Sequence, residues 1–425
     1  MTETASQHIT DYLDNTFHSL KNRNFRYFWI GQCVSLIGTF MQRTAQYWLV
    51  YTITKSPFAL GMLGVCQFLP MLVLSLPVGV LIDRFPKRRL LIATQVLFLL
   101  QAVSLTVLTW LNITQYWHIL ALSTVYGVTQ TIEMPTRQTF LFELVGKDDI
   151  MNAVSLNSTI VNTAKIFGPA LAGIVMQRLG ITMCFGLNAA SYIAVMAGLF
   201  LIRVPRGTIK RAQTRITQEA AGGLRFIRSR ATLVVCILIF SIVGTFAMNQ
   251  DVIAPVFAED ILGRGANGYT GLLTAAGIGS LLAALLMASR SRYGAQGRIL
   301  ILGGAGSVLL HIATIFTTDY YVSLALIAGI GFFTIVFLNT ANAMFQMGTP
   351  DEYRSRVMSV YSLILFGSTP IGNFFAGTIM EHIPGNSGFV GCGAAALLLL
   401  IPVFIVNRAF IAGWFKKPGR EIEHV

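Results

Sequence analysis

Two carboxylates and two cations stand where a polar side chain is expensive. Glu133 and Asp251 lie inside long apolar runs, and so do Arg43 and Lys165. A charge near the middle of a bilayer costs roughly 3 kcal/mol or more, so such groups face a pathway, a partner or water. A partly desolvated carboxyl is pushed toward neutral pH and can then take up and release a proton. That chemistry makes Glu133 and Asp251 candidate proton carriers. Arg43 and Lys165 have two readings: ion-pair partners of Glu133 or Asp251, or a positive lining that attracts an anionic or catecholate-like ligand.

Neutral polar residues surround these charges. Ser35, Thr39, Gln42, Arg43 and Gln46 recur at spacings of three, four and seven, which places them on one helix face. A second stripe reads Ser241, Thr245, Asn249, with Gln250 and Asp251 beside it. Asn162, Asn339, Asn342 and Gln346 add polar groups in other apolar runs. Thr39, Gln42, Arg43, Gln46, Asn162, Lys165, Asn249, Asn339 and Asn342 are therefore the candidate lining of a central cavity. The alternative for the neutral members is interhelical hydrogen bonding without a ligand. His311 reads as a packed core residue, and Glu259 and Asp260 as solvated residues at a mouth.

The elements that must position these groups are membrane helices. The chain has 425 residues, 54% hydrophobic and 12% charged, about half the charge of a soluble chain. Apolar runs of bilayer length fall at about 27–53, 58–82, 88–111, 116–138, 152–177, 182–202, 232–258, 269–289, 298–317, 320–346, 356–380 and 387–410. The expected fold is an all-α polytopic membrane protein with twelve transmembrane helices in two pseudo-symmetric six-helix bundles. Its divisions are a tail (1–26), a first bundle (27–202), a basic linker with a short amphipathic helix (203–231), a second bundle (232–410) and a tail (411–425). No cleavable leader is expected, since the first residues are polar.

The net charge of +13 does not indicate nucleic acid. Lys55, Arg178 and Arg264 fall in short outer connections, whereas the other cations outside the spans cluster in the tails, the linker and alternate loops. That bias marks the cytoplasmic side and places both termini there. The five Cys are scattered through apolar runs without metal-ligand or disulfide spacing. Neither a nucleophile elbow, a zinc-protease motif nor a phosphate-binding loop occurs, so no catalytic residue, cofactor or metal is expected.

The halves repeat. Ser35-Leu-Ile-Gly-Thr-Phe40 matches Ser241-Ile-Val-Gly-Thr-Phe246. Ser155, Ser158, Gly168, Ala172 and Gly173 match Ser359, Ser362, Gly372, Ala376 and Gly377 at nearly the same offset. Such a duplication places a substrate site near mid-membrane, where the copies meet.

The stretch Gly79-x-x-x-Asp83-Arg84-x-x-x-Arg88-Arg89 resembles the loop 2–3 signature of the major facilitator superfamily, with Pro86-Lys87 where a Gly usually precedes the basic pair. Leu20-Lys-Asn-Arg-Asn-Phe-Arg-Tyr-Phe-Trp-Ile-Gly-Gln32 resembles its bacterial exporter branch, which includes enterobactin-type siderophore exporters and macrolide efflux proteins. Asp351-Glu-Tyr-Arg-Ser-Arg-Val-Met358 is similar to that branch's loop 10–11 pattern. Gly168-Pro169-Ala-Leu-Ala-Gly173 resembles the end of the antiporter motif, with Ala164 in place of its earlier Gly. The Arg of drug antiporters is not evident between Tyr126 and Glu133.

The resemblance implies a monomeric secondary transporter of the cytoplasmic (inner) membrane. It would export a small organic molecule by alternating access, with protons as coupling ion and the lipid bilayer as its only other partner. Multidrug, macrolide or lipid efflux is the alternative on the same fold. A transport-inactive scaffold or receptor is the rival of another class, against which the intramembrane charges argue. Around the 79–91 loop the expected cytoplasmic gate comprises Gly79, Asp83, Arg84, Arg88, Arg89, Glu143 and Arg356. Asp83 would meet the start of the eleventh span near Arg356, and Arg88 or Arg89 would pair with Glu143.

Overall fold

Long apolar stretches punctuated by Pro, Gly and Asn become helices because hydrocarbon leaves backbone groups no partner but each other. The computed structural model describes residues 18–202, 216–290, 294–383 and 385–416, apart from a few side chains inside helices. The helices are α1 (Arg23–Thr54), α2 (Pro57–Arg84), α3 (Lys87–Trp110), α4 (Tyr116–Leu179), α5 (Ile181–Leu201), α6 (Ile216–Arg228), α7 (Ala231–Phe246), α8 (Gln250–Val256), α9 (Gly265–Ser289), α10 (Gly297–Ala313), α11 (Tyr320–Met347), α12 (Asp351–His382), α13 (Ser387–Val406) and α14 (Arg408–Lys416).

Among the described residues, ten helical stretches are long and apolar enough to cross a membrane. The other two expected spans lie in α1 and the first arm of α4. Those carry the polar stripe and the Glu133 region, which lowers their hydropathy. The fourth and fifth spans are two helical arms of α4 that meet at a kink at Gly146, where the non-helical φ 75° and ψ −169° suit a residue without Cβ. Pro135 and Pro169 sit inside α4, and the helix stays continuous at both. The Gly168-Pro169 pair therefore acts by contact. A Cβ on Gly168 would stand 2.4 Å from Phe40 Cβ, so the glycine lets this arm touch α1.

The seventh span differs from a single helix over 232–258. It breaks after Phe246 and resumes as α8, then ends in one π-helical turn, Phe257–Ile261. Asn249 Nδ2 donates to Thr245 O at 2.8 Å, replacing the backbone donor that the break removes. Gly372 of α12 fits the same gap: its Cβ would meet Thr245 O and Asn249 Oδ1. The repeat is thus imperfect, because Ser35–Phe40 runs on into unbroken α1 whereas Ser241–Phe246 ends at the break.

The described residues gather into two compact units. One draws on Met1–Ala45, Pro77–Thr114 and Val125–Ala212; the other on Gln46–Leu76, Gln115–Thr124 and Gln213–Val425. In the first, Phe25, Phe28, Leu91, Phe140, Leu144, Leu156 and Leu199 form a buried core, with Phe28 edge-on to Phe140 at 5.7 Å. Just before α1, a 3-10 turn (His18–Lys21) docks on the α4 turn. Ser19 Oγ donates to Asp149 O at 3.1 Å and Asn22 Nδ2 to Leu144 O at 2.9 Å.

In the second unit Phe240 stacks on Tyr361 at 4.6 Å, within a core that includes Phe337 and Phe345. The amphipathic linker helix is α6. Ile227 is buried, Leu224 is exposed, and Phe226 stacks on Tyr353 at 4.7 Å. Residues 203–215 and 417–425, with the first seventeen, lie outside the described residues. Beyond the last expected span a further amphipathic helix forms. Trp414 and Ile411 of α14 are buried, and the indole covers Gly297, where a Cβ would overlap the ring.

Candidate functional site

A dense polar cluster lies in the first unit. Gln42 of α1 is the hub. Its Nε2 donates to Gln101 Oε1 of α3 at 2.9 Å, and its Oε1 accepts from Asn188 Nδ2 of α5 at 2.9 Å. Asn188 also reaches Tyr192 OH at 3.2 Å, and Thr39 Oγ1 lies 3.2 Å from that hydroxyl. Ser191 Oγ donates to Asn188 O at 2.7 Å. Gly38 makes the crossing possible, since a Cβ there would stand 2.6 Å from Asn188 Oδ1. Gln42 is 3% exposed, so this expected lining residue ties three helices together. Gln46 is buried too and donates to Ser123 Oγ of α4. Each such bond contributes about 0.6 kcal/mol between membrane helices.

Beside this network stands an ion pair that sequence spacing did not single out. Arg137 Nε lies 3.0 Å from Glu133 Oε1, with side chains 14% and 10% exposed. The guanidinium N–H points off the line to the carboxylate, so the contact is ionic rather than an aligned hydrogen bond. Glu133 therefore pairs with a cation one turn along its own helix. Arg43, Glu133 and Arg137 all fall within electrostatic range of Tyr126, and Glu133 also of Tyr192. Phe98 bridges the two phenols, 5.1 Å from Tyr126 and 5.4 Å from Tyr192. Two cations and one carboxylate thus act on the tyrosine at one end of this aromatic wall. The signal for Arg137 was the i, i+4 spacing from Glu133, masked by its place at the end of the span.

Arg43, Asn162 and Lys165 are half-buried, as are Asp251 and Asn342, while Asn339 is exposed. Asn249 is 1% exposed and serves the helix break. Asn342 Oδ1 accepts from Gln346 Nε2 at 2.6 Å. His311 is the packed core residue expected: its Nδ1 meets Ser307 O at 2.8 Å and its ring edges onto Phe389.

At the 79–91 loop the cations divide their work differently from expectation. Arg88 does not pair with Glu143. It hydrogen-bonds Leu199 O at 2.8 Å and Phe200 O at 3.1 Å, capping the carbonyl end of α5 as a cation should. Lys87 is the cation beside Glu143: burial pushes that carboxyl above its ordinary range, and the ammonium pulls it back. Lys87 also donates to Ile82 O. Arg84 and Arg89 are exposed and Gly79 is half-buried; the Asp83 side chain lies outside the described residues. Arg356 lies over the Tyr353 ring at 5.6 Å. Its backbone oxygen would meet a Cβ on Gly223 at 2.5 Å, so this turn of α12 seats the linker helix.

Glu259 and Asp260 are not merely solvated. Tyr51 OH donates to Asp260 Oδ2 at 2.6 Å, and Lys55 Nζ lies 3.5 Å from Glu259 Oε1.

Comparison with known proteins agrees with this architecture. The family model described as transmembrane secretion effector, within the major facilitator superfamily, matches residues 14–414. The chain is 23% identical over 392 residues to the staphyloferrin A transporter of Staphylococcus aureus (strain NCTC 8325 / PS 47), covering 90% of this chain and 96% of that one. It is 20% identical over 390 residues to macrolide efflux protein A of Streptococcus pyogenes, covering 89% and 95%. The crystal structure of the nucleoside transporter NupG superposes with a TM-score of 0.71 at 10% identity, over 93% of this chain and 99% of that one, a likeness of fold. The helices, the intramembrane charges and the match across nearly the whole length converge: this chain belongs to the transmembrane secretion effector family and is a multi-pass secondary transporter of the major facilitator superfamily, not an enzyme.

Proposed function

We propose that this transporter exports a small organic anion of siderophore type across the cytoplasmic membrane by alternating access, in exchange for inward protons, as a monomer with both termini cytoplasmic. The observation that carries the reading is the Glu133–Arg137 pair, with Arg43 also acting on the nearby Tyr126. An ion pair held in apolar surroundings is a two-state element: ionised Glu133 holds Arg137, and protonated Glu133 releases it. Arg43 supplies the positive charge for the substrate. This division matters for the sign of coupling. An anion that captured Arg137 would favour the protonated carboxyl and travel with the proton, so counterflow requires the anion at Arg43 while Glu133 stays paired. Macrolide efflux protein A is a relative that supports export, and the staphyloferrin A transporter one that supports transport of a small molecule.

Asp251, at the start of α8, is the second candidate proton carrier. The inner gate is proposed at Gly79, Asp83, Arg84, Arg88, Arg89, Glu143 and Arg356, with Lys87 now beside Glu143. The domain divisions at 26, 202, 231 and 410 stay the working description of the duplicated halves.

The test uses inverted vesicles with an acidic lumen reported by acridine orange. A catecholate siderophore should collapse the gradient with the wild type and not with Glu133→Gln. A response to a 14-membered macrolide alone would make drug efflux the function, and no response to either would remove proton counterflow from the reading.

A further inference from the structure

Two amphipathic helices of the second unit adjoin span ends. Ser229 and Arg230 alone separate α6 from the start of α7, and Asn407 alone separates α14 from the end of α13. Connections that short hold both helices at the depth where a span leaves the hydrocarbon. Six stretches of membrane length lie between them, from Ala231–Ile261 to Ser387–Val406. An even number of crossings brings the chain back to the side it left, so α6 and α14 meet the same leaflet.

Each helix turns one face to the protein. Ile227 of α6 and Ile411 and Trp414 of α14 belong to one buried core. Phe226 stacks on Tyr353 and carries the Arg230 guanidinium over its ring at 6.0 Å; Phe410 meets Trp414 edge-on at 5.4 Å. The other face of each helix joins cations to large apolar side chains. On α6, Leu224 is 45% exposed, with Arg225 and Arg228 exposed beside it at helical spacing. On α14, Arg408 is exposed and Phe415, seven residues on and so on the same face, is 53% exposed. Among the described side chains at this end of the unit the acidic ones are Asp351, which pairs with Arg354 at 2.7 Å, and exposed Glu352.

We propose that α6 and α14 form a two-point docking surface for anionic phospholipid of the leaflet on the linker side, the cytoplasmic one in the orientation proposed above. Arg225 and Arg228 on α6, and Arg408 on α14, take the lipid phosphates. Leu224 and Phe415 enter the boundary with the acyl chains. The partner is a leaflet rather than an acidic protein, because each exposed face sets a large apolar side chain beside a guanidinium and adjoins a span end, where lipid already is. Lipid on one face and glycine seats on the other then act together. Gly223 admits the backbone at Arg356, and Gly297 lies under the Trp414 ring. A helix held on both faces opens less often, so anionic lipid sets how firmly α6 and α14 sit on the second unit. The surface is independent of substrate identity, export direction and coupling ion.

Hydrogen exchange of the full chain in nanodiscs tests it. Discs of phosphatidylcholine alone are compared with discs in which about a third of the lipid is phosphatidylglycerol, enough to make the surface strongly negative. Anionic lipid should slow amide exchange in peptides over 222–229 and 408–416, about fivefold for each exposed arginine on the helix. Arg225→Gln with Arg228→Gln should remove the effect over 222–229 and leave it over 408–416, and Arg408→Gln should do the reverse. Arg225→Lys with Arg228→Lys should keep it. Peptides over 240–245, inside α7, should exchange alike in both discs and in every variant, and so report intact folding. Inorganic phosphate added to phosphatidylcholine discs should give no protection; protection by phosphate would make this an ion site and overturn the docking of a leaflet. Equal exchange in the two discs, or lipid-dependent protection that survives the glutamine variants, would also overturn the proposal and leave the exporter reading untouched.

Discussion

Arg137 and Gln42 divide the work that a single polar stripe suggested. Gln42 spends both ends of its amide on α3 and α5, and Gln101 Nε2 already lacks a further partner. Gln42→Leu should therefore lower thermal stability by the cost of orphaning Asn188 and Gln101, about 1–3 kcal/mol, while transport selectivity stays the same; melting in detergent and competition assays check the two halves of that statement. The ion pair behaves differently. Removing one member of a buried pair strands the other, at a cost of about 3 kcal/mol, whereas removing both is nearly neutral. Arg137→Met should thus be much less stable than the Glu133→Gln, Arg137→Met double variant. Additive losses in that cycle would mean that the two side chains do not interact. Glu133 stands out in the sequence because a carboxylate in an apolar run calls for a partner, a pathway or a proton. Its partner does not, because a cation at the end of a span reads as one more inner-face charge.

At the scale of elements, helix ends were legible wherever Pro, Gly or Asn stops an apolar run. The expected 88–111 and 182–202 spans fall within a residue or two of Lys87–Trp110 and Ile181–Leu201. The break in the seventh span carries no hydropathy signal, since Ala247 and Met248 are as apolar as a helix requires. It depends on Asn249 supplying a side-chain donor and on Gly372 lying opposite, a long-range fact. Asn249→Leu should mend the hydropathy and impair the protein, with lower stability than Asn249→Gln. The docking of α6 also rests on a close approach. Gly223 admits the backbone at Arg356, and α6 exposes Arg225 and Arg228. Gly223→Ala should lift this helix and speed tryptic cleavage after those arginines, read by mass spectrometry; unchanged cleavage would show that the contact does not hold the helix.

At the scale of the molecule, fold class and membrane embedding followed from span length and from the bias of Lys and Arg toward one side. The contacts at the opposite face did not, because Tyr51–Asp260 and Ser56–Glu381 join residues 209 and 325 positions apart, and no local period announces such pairs. What remains most exposed to test is the act of export itself. Cells lacking the protein, carrying it, or carrying Glu133→Gln at equal membrane levels should be compared by untargeted profiling of their medium. A small organic molecule should accumulate outside with the wild type alone and stay inside in the other two. Identical media from all three strains would contradict it.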